Sequence, residues 1–210
     1  GKGGSSKVFL AQDSLNNKWA LKAIRKDKGI LQEAAAAMLV REHELLQKLS
    51  DHPNIIKSYK VNLDGTVQAG EDTESVMYNV LEYAKHGALS NFIRYTGGVE
   101  ESISRLFALQ ICNALKYIPD SDHAHMDIKL ENILLDEYFN VKVADLGASF
   151  STSETGGFID RKRGTLLYMA PEVANFKQGQ KYDAKAADIY SLGITLFVLI
   201  TGEFPTPQEI

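Results

Sequence analysis

The segment His125-Met126-Asp127-Ile128-Lys129-Leu130-Glu131-Asn132, running directly into the apolar Ile133-Leu134-Leu135, constrains this chain more than any other. An aspartate, a lysine two residues on and an asparagine five residues on put an acceptor, a cation and an amide into one loop before a short strand. Thirteen residues after Asn132, Asp145-Leu146-Gly147 follows a second short strand, Val141-Lys142-Val143. Hard divalent cations take oxygen ligands, and Asp145 with Asn132 supplies two of the kind that sit beside phosphates. Ala170-Pro171-Glu172 closes the next loop. Any one of these triplets arises by chance; their order and separations together do not.

Upstream the texture is strand-rich. Residues 7–11 and 18–24 are β-prone runs, and Asp13-Ser14-Leu15-Asn16-Asn17 between them is turn chemistry, which predicts a hairpin. Residues 33–50 read as a helix with apolar positions at Met38, Leu39, Leu45, Leu46 and Leu49, stopped by Asp51-His52-Pro53-Asn54. Residues 55–61 and 75–81 read as strands, with 62–74 as a surface loop. From Ser90 helices dominate, at 89–95, 101–118 and 184–201, with short strands at 133–135 and 141–143. A strand-rich part followed by a helix-rich part predicts an α+β, bilobal plan.

Three upstream features carry chemistry. The opening Gly1-Lys2-Gly3-Gly4-Ser5-Ser6-Lys7-Val8 is glycine-rich. Backbone N–H groups approach phosphates only where side chains do not intervene, so a nucleotide cradle is one reading and a flexible turn the other. Strand alternation sets Ala20 and Lys22 on one face, where the lysine is either a phosphate ligand or a solvated strand residue. On the helix, Glu42 falls on the stripe of Met38, Leu45 and Leu49. A carboxylate turned inward needs a cation, and Lys22 is the natural one; on the helix alone, a glutamate at the stripe edge facing water is the other reading.

Taken together these motifs resemble the eukaryotic protein kinase family along essentially the whole chain. Gly1, Gly3 and Val8 match its glycine-rich loop, with Ser6 where a third glycine stands. Trp19-Ala20-Leu21-Lys22 matches V-A-I-K, and Glu42 the helix glutamate. Leu81-Glu82-Tyr83-Ala84 looks like the hinge, with Leu81 as gatekeeper. His125-Met126-Asp127 matches H-R-D except in the middle, and Asp145-Leu146-Gly147 matches D-F-G with leucine for phenylalanine. Gly164-Thr165 through Ala170-Pro171-Glu172 resembles the substrate-docking loop, and Asp188-Ile189-Tyr190-Ser191-Leu192-Gly193 the central helix whose aspartate braces the catalytic loop.

The resemblance implies a small β-rich N-lobe with one key helix (1–81), a hinge (82–87) and a larger helical C-lobe (88–210) that lacks its last helices, in a chain cut at both ends. It implies a protein serine/threonine kinase that uses ATP and Mg²⁺ on a protein substrate. Lys129 and Thr165 point to Ser/Thr specificity, and Asp127-Ile128-Lys129-Leu130-Glu131-Asn132 is similar to the calmodulin-dependent and AMP-activated-type groups. Asp127 and Lys129 take the catalytic roles, and Asn132 and Asp145 the metal. Gly1, Gly3, Val8, Ala20, Lys22, Glu42, the backbone of Glu82 and Ala84, and Leu134 surround the nucleotide. Ala88 stands where related kinases often place a ribose-binding acid. Ser149, Ser151, Thr152, Ser153 and Thr155 lie in the loop where many kinases are phosphorylated, but the arginine that would receive that phosphate is Met126 here, so little dependence on such phosphorylation is expected.

Bulk properties agree. A net charge of −4 over 210 residues gives no sign of a nucleic-acid partner or an anionic membrane surface. The apolar run at 192–200 is too short to span a bilayer, so no membrane span is expected. The lone Cys112 excludes a disulfide framework, fits an intracellular compartment, and is expected as a buried small hydrophobe. Two rival readings remain: a pseudokinase scaffold, favoured by Ser6 and Met126, and a small-molecule kinase, disfavoured by Thr165 and Ala170-Pro171-Glu172.

Overall fold

The computed structural model describes residues 6–26, 30–69, 72–153 and 155–206. The chain divides into two compact units, Gly1–Asp51 with Ile56–Ala84, and His52–Ile55 with Lys85–Ile210.

The first unit is a four-stranded antiparallel sheet and a helix. β1 (Lys7–Gln12) and β2 (Lys18–Arg25) form the expected hairpin. Asp13 builds its turn: Oδ1 accepts from the N–H groups of Leu15 and Asn17, and Oδ2 from the Trp19 indole. Asn16 takes a φ of 66°, a conformation asparagine tolerates. Then come α1 (Ile30–Lys48), β3 (Ser58–Ala69) and β4 (Asp72–Glu82), with sheet order β1-β2-β4-β3. Along α1 and the turn that follows it, Leu39, Glu42, Leu45, Leu46 and Leu49 are buried, while Met38 is 52% exposed. The inward stripe thus keeps Glu42, Leu45 and Leu49, as the sequence suggests, and takes Leu39 in place of Met38.

Two further expectations are corrected here. Residues 62–69 and 72–74 are not a loop but part of β3 and β4, whose pairing continues to Ala69 and Asp72. Gly65, which reads as a loop marker, sits inside β3 because an added Cβ would collide with the Tyr78 ring. Asn62 Nδ2 donates to the hydroxyl of that ring at 3.0 Å. The strand expected from Ile55 begins instead at Ser58, and Ile55 bridges Val143 in the second unit. Asn54 explains why: its side-chain amide donates to Gln110 and to the Val141 carbonyl, and its own carbonyl accepts from the Val143 N–H.

The second unit is helix-rich. In chain order it has β5 (Gly87–Ala88), α2 (Leu89–Thr96), α3 (Glu101–Asp120), β6 (His123–Ala124), β7 (Ile133–Leu135), β8 (Val141–Val143), β9 (Phe150–Ser151), β10 (Phe158–Ile159), α4 (Pro171–Ala174), β11 (Tyr182–Asp183) and α5 (Ala184–Thr201). The short strands pair as β5-β7-β8, β6-β9 and β10-β11. α3 turns Phe107, Ile111, Ala114, Leu115 and Ile118 inward. Cys112, one residue round from Ile111, is exposed, not buried as its apolar neighbours suggest. α5 starts on Asp183, whose carboxylate accepts from the N–H groups of Lys185 and Ala186, and ends on Gly202 at φ 78°. By length and composition α5 could cross a membrane. It is instead built as a core helix, burying Ala187, Asp188, Leu192, Thr195 and Leu199.

Candidate active site

Within the first unit the sheet register collects one group of the expected residues. Val8 lies opposite Lys22, and Ala20 opposite both Leu10 and Leu81. Directly opposed residues share a face, so Val8, Ala20, Lys22 and Leu81 line the same side of the sheet. Lys22 Nζ donates to Glu42 Oε1 at 2.7 Å and to Oε2 at 2.8 Å. The two side chains are only 13% and 3% exposed. Withdrawn from water this far, each charge requires the other, so the inward reading of Glu42 holds. Glu82 ends β4, where its N–H donates to the Lys57 carbonyl, and the buried Ala84 follows. Gly1 and Gly3 lie outside the described residues.

Within the second unit the polar loop closes on itself. Asp127 Oδ2 accepts from Lys129 Nζ at 2.7 Å and from Asn132 Nδ2 at 3.2 Å. Asp127 Oδ1 accepts from the Thr165 hydroxyl at 2.7 Å, and Lys129 Nζ donates to the same hydroxyl oxygen at 2.8 Å. Asn132 Nδ2 also donates to the Asp127 carbonyl at 2.8 Å. Two acceptors on one side fix the amide orientation and turn its carbonyl oxygen away from Asp127. Asp145 sits at φ 61° and ψ 66°, a left-handed conformation, directly before a 3₁₀ turn at Leu146–Ala148. The β7–β8 pairing and an Ala144 N–H bond to the Asn132 carbonyl tie its backbone to that of Asn132. Leu134 lies in the middle of β7, opposite both Ala88 and Lys142.

A buried frame holds this loop. His125 is fully buried; its Nδ1 accepts from the Asp127 N–H at 3.2 Å, which leaves Nε2 to donate to the Ala144 carbonyl at 3.1 Å. The imidazole thus joins the backbones beside Asp127 and Asp145 in a single tautomer. Asp188 on α5 accepts the His125 N–H at 2.6 Å and the Met126 N–H at 2.8 Å. Burial pushes its carboxyl above the usual carboxylate range, against the pull of His125 and the two N–H donors. Met126, at φ 66°, turns its side chain into an apolar cluster with Ala124, Ile159, Ala170, Val173, Tyr182, Ala184 and Ala187. Gly164 has no room for a side chain, since a Cβ would come within 2.6 Å of the Met126 carbonyl.

The structure adds two features that sequence reasoning did not assign. Thr165, a subclass mark in the sequence, is a direct partner of both Asp127 and Lys129. Arg163, one of three basic residues in its loop, donates to the Ala148 carbonyl at 2.9 Å and lies over the Phe150 ring, tying the loop's two ends together. Tyr168 is buried beside them, its hydroxyl donating to Glu131 Oε2. Burial first, and the Glu131 charge second, raise its phenol well above the ordinary 10.0. A tyrosine with a raised folded-state value contributes stability that is complete below the unfolded value and lost as pH climbs towards the folded one. Stability therefore falls more steeply between about pH 9 and about pH 11 than in Tyr168→Phe, as denaturant titrations at both pH values would register.

A protein kinase domain model matches residues 1–210, and the chain belongs to that family. Proteins of the family generally use ATP and a divalent metal ion and act on protein substrates. The chain is 37% identical over 205 residues to NUAK family SNF1-like kinase 2 of Rattus norvegicus, covering 98% of this chain and 30% of that protein. The human protein of the same name is 36% identical over 205 residues. CBL-interacting protein kinase 11 of Oryza sativa subsp. japonica is 35% identical over 208 residues, covering 98% of this chain and 39% of that protein. The chain thus spans 30% to 39% of the length of these curated relatives.

Proposed function

We propose that this chain is the catalytic domain of a protein serine/threonine kinase, transferring the γ-phosphoryl group of Mg·ATP to a serine or threonine hydroxyl of a protein. The observation that carries the reading is the Asp127 carboxylate, which already receives an aliphatic hydroxyl, that of Thr165, at 2.7 Å beside the Lys129 ammonium. An incoming substrate hydroxyl presents the same group. Asp127 orients it and takes its proton as the new O–P bond forms, while Lys129 offsets charge on the moving phosphoryl oxygens. Lys22, held by Glu42, grips the α- and β-phosphates. The family resemblance assigns Val8, Ala20 and Leu134 to the adenine, and Gly1, Gly3 and the backbone of Glu82 and Ala84 to the rest of the nucleotide. The outward Asn132 carbonyl oxygen and the Asp145 carboxylate are hard oxygen donors of the type Mg²⁺ takes and would hold the ion. An ion held there would offset phosphate charge.

The domain limits that go with this reading are an N-lobe over 1–81, a hinge over 82–87 and a C-lobe from 88. A single cysteine, free and exposed, fits a reducing intracellular compartment. The likeness to kinases named SNF1-like supports the narrower grouping with AMP-activated-type kinases.

The test is transfer of labelled γ-phosphate from ATP to a generic basic protein by the full-length protein, with Asp127→Asn as control. Label is expected on serine and threonine. No transfer by the unsubstituted protein, or equal transfer by the control, would overturn the reading.

Regulation follows from Met126. A thioether buried in an apolar cluster offers a phosphate nothing to bind. Phosphatase treatment is therefore expected to change activity by less than about twofold, and a large drop would contradict this.

A further inference from the structure

The packing of α1 on the sheet contains a line of polar groups that the reaction itself does not use. His43 Nδ1 lies 2.7 Å from Ser58 Oγ, and Ser58 Oγ donates to Asn79 Oδ1 at 2.6 Å. The hydroxyl has one proton and gives it to Asn79, so the imidazole is the donor to Ser58. Gln47, one helical turn beyond His43, donates its amide to the Ser58 carbonyl. Ser58 is 2% and Asn79 0% exposed. Asn79 Nδ2 has no acceptor among the described residues. Around the seam and the Lys22–Glu42 pair the unit buries apolar side chains, Leu39, Leu46, Leu49 and Met77 among them.

Such a seam is a poor way to hold a helix on a sheet. A buried donor without an acceptor lowers stability, and apolar groups of the same shape would pack at no such cost. What hydrogen bonds add is register. Apolar faces tolerate sliding, whereas bonds from successive turns of α1 to one residue of β3 fix both the translation and the rotation of the helix. The placement is specific. His43 directly follows Glu42, and Asn79 is the residue of β4 directly opposite Lys22. The seam therefore has both of its ends beside the Lys22–Glu42 ion pair.

We propose that His43, Ser58 and Asn79, with Gln47, are positioning residues that set α1 against β3 and β4 so that Glu42 meets Lys22. The role rests on the reading above, in which Lys22 held by Glu42 orients the phosphates. A small displacement of the helix then costs rate through misplaced phosphates.

The test uses the full-length protein carrying Ser58→Ala with Asn79→Leu. Leucine keeps the branched shape of asparagine and removes the unmatched donor. The expected result is an unchanged or higher Tm with kcat lowered about tenfold, and an unchanged KM for a peptide substrate, since the substituted side chains are not among those assigned to the substrate. His43→Leu on the half-exposed helix face lowers kcat in the same way, and His43→Asn, whose Nδ2 replaces the ring Nδ1–H, restores most of it. A lower Tm with kcat per folded molecule within about twofold of the unsubstituted protein would overturn the proposal, as would equal activity of His43→Leu and His43→Asn. Absence of phosphotransfer in the unsubstituted protein would instead remove the reading it rests on. Hydrogen exchange then isolates the seam itself: faster exchange of α1 amides in His43→Leu supports it, and unchanged exchange overturns it.

Discussion

Asp127→Asn is expected to lower the rate of phosphoryl transfer by about 10²- to 10⁴-fold, the range lost with a positioned acid–base group, while Mg·ATP binding stays nearly unchanged. The geometry explains why so small a change is so costly. Among the described residues, each side chain that hydrogen-bonds the Asp127 carboxylate is a donor: Thr165 on Oδ1, Lys129 and Asn132 on Oδ2. An amide in its place must turn its NH₂ towards one of them. Facing Lys129 and Asn132 it meets an ammonium and another NH₂, which is repulsive. It therefore settles towards Thr165, whose hydroxyl is able to accept, and the position that should receive the substrate proton becomes a donor. The side chain is partly exposed and its backbone N–H bond to His125 is untouched, so the fold should survive. Turnover within about tenfold of the unsubstituted protein, at equal nucleotide affinity, would remove Asp127 from the mechanism.

How far the site could be read from the sequence depends on how local each feature is. Asp127, Lys129 and Asn132 lie within six consecutive residues, so their residue types and spacing already specify an acceptor, a cation and an amide in one loop. Lys22–Glu42 was legible through physics: helical phase turned a carboxylate inward, and a buried carboxylate demands a cation. Only Met38 departs from the expected stripe, because a face with both Met38 and Leu39 leaves packing to decide which of the two is covered. The Thr165 bond to Asp127 spans 38 residues and exists only once the loop folds back. His43, Ser58 and Asn79 were not legible at all. Each is an ordinary polar residue within its own element, and only the pairing of β3 with β4 under α1 makes them neighbours. The β3–β4 hairpin was missed because Gly65 and the acids around it signal a turn, whereas the glycine is there to admit the Tyr78 ring.

Asp188→Asn is expected to damage both stability and rate, although the Asp188 carboxylate serves to hold backbone N–H groups. Its two oxygens accept separate backbone N–H groups, those of His125 and Met126, in a site only 7% exposed. Those donors have no other outlet, because Met126 at φ 66° bends the chain away from both helical and strand pairing. Asparagine has one acceptor oxygen, so its NH₂ must confront one of these N–H groups in a buried setting. Leaving such a donor unmatched costs about 1–3 kcal/mol, and for a domain of this size each kcal/mol lowers Tm by about 2–4 °C. The effect on rate has a separate path. Asp188 fixes the backbone at His125, His125 accepts the Asp127 N–H, and Asp127 is the residue proposed to orient the nucleophile. A misplacement near 1 Å at that carboxylate costs about 10²-fold in kcat. The two effects separate by temperature: well below the lowered Tm the variant is folded, and a purely structural role would leave its rate intact there. Full activity of the folded variant would show that the catalytic loop keeps its shape without the carboxylate.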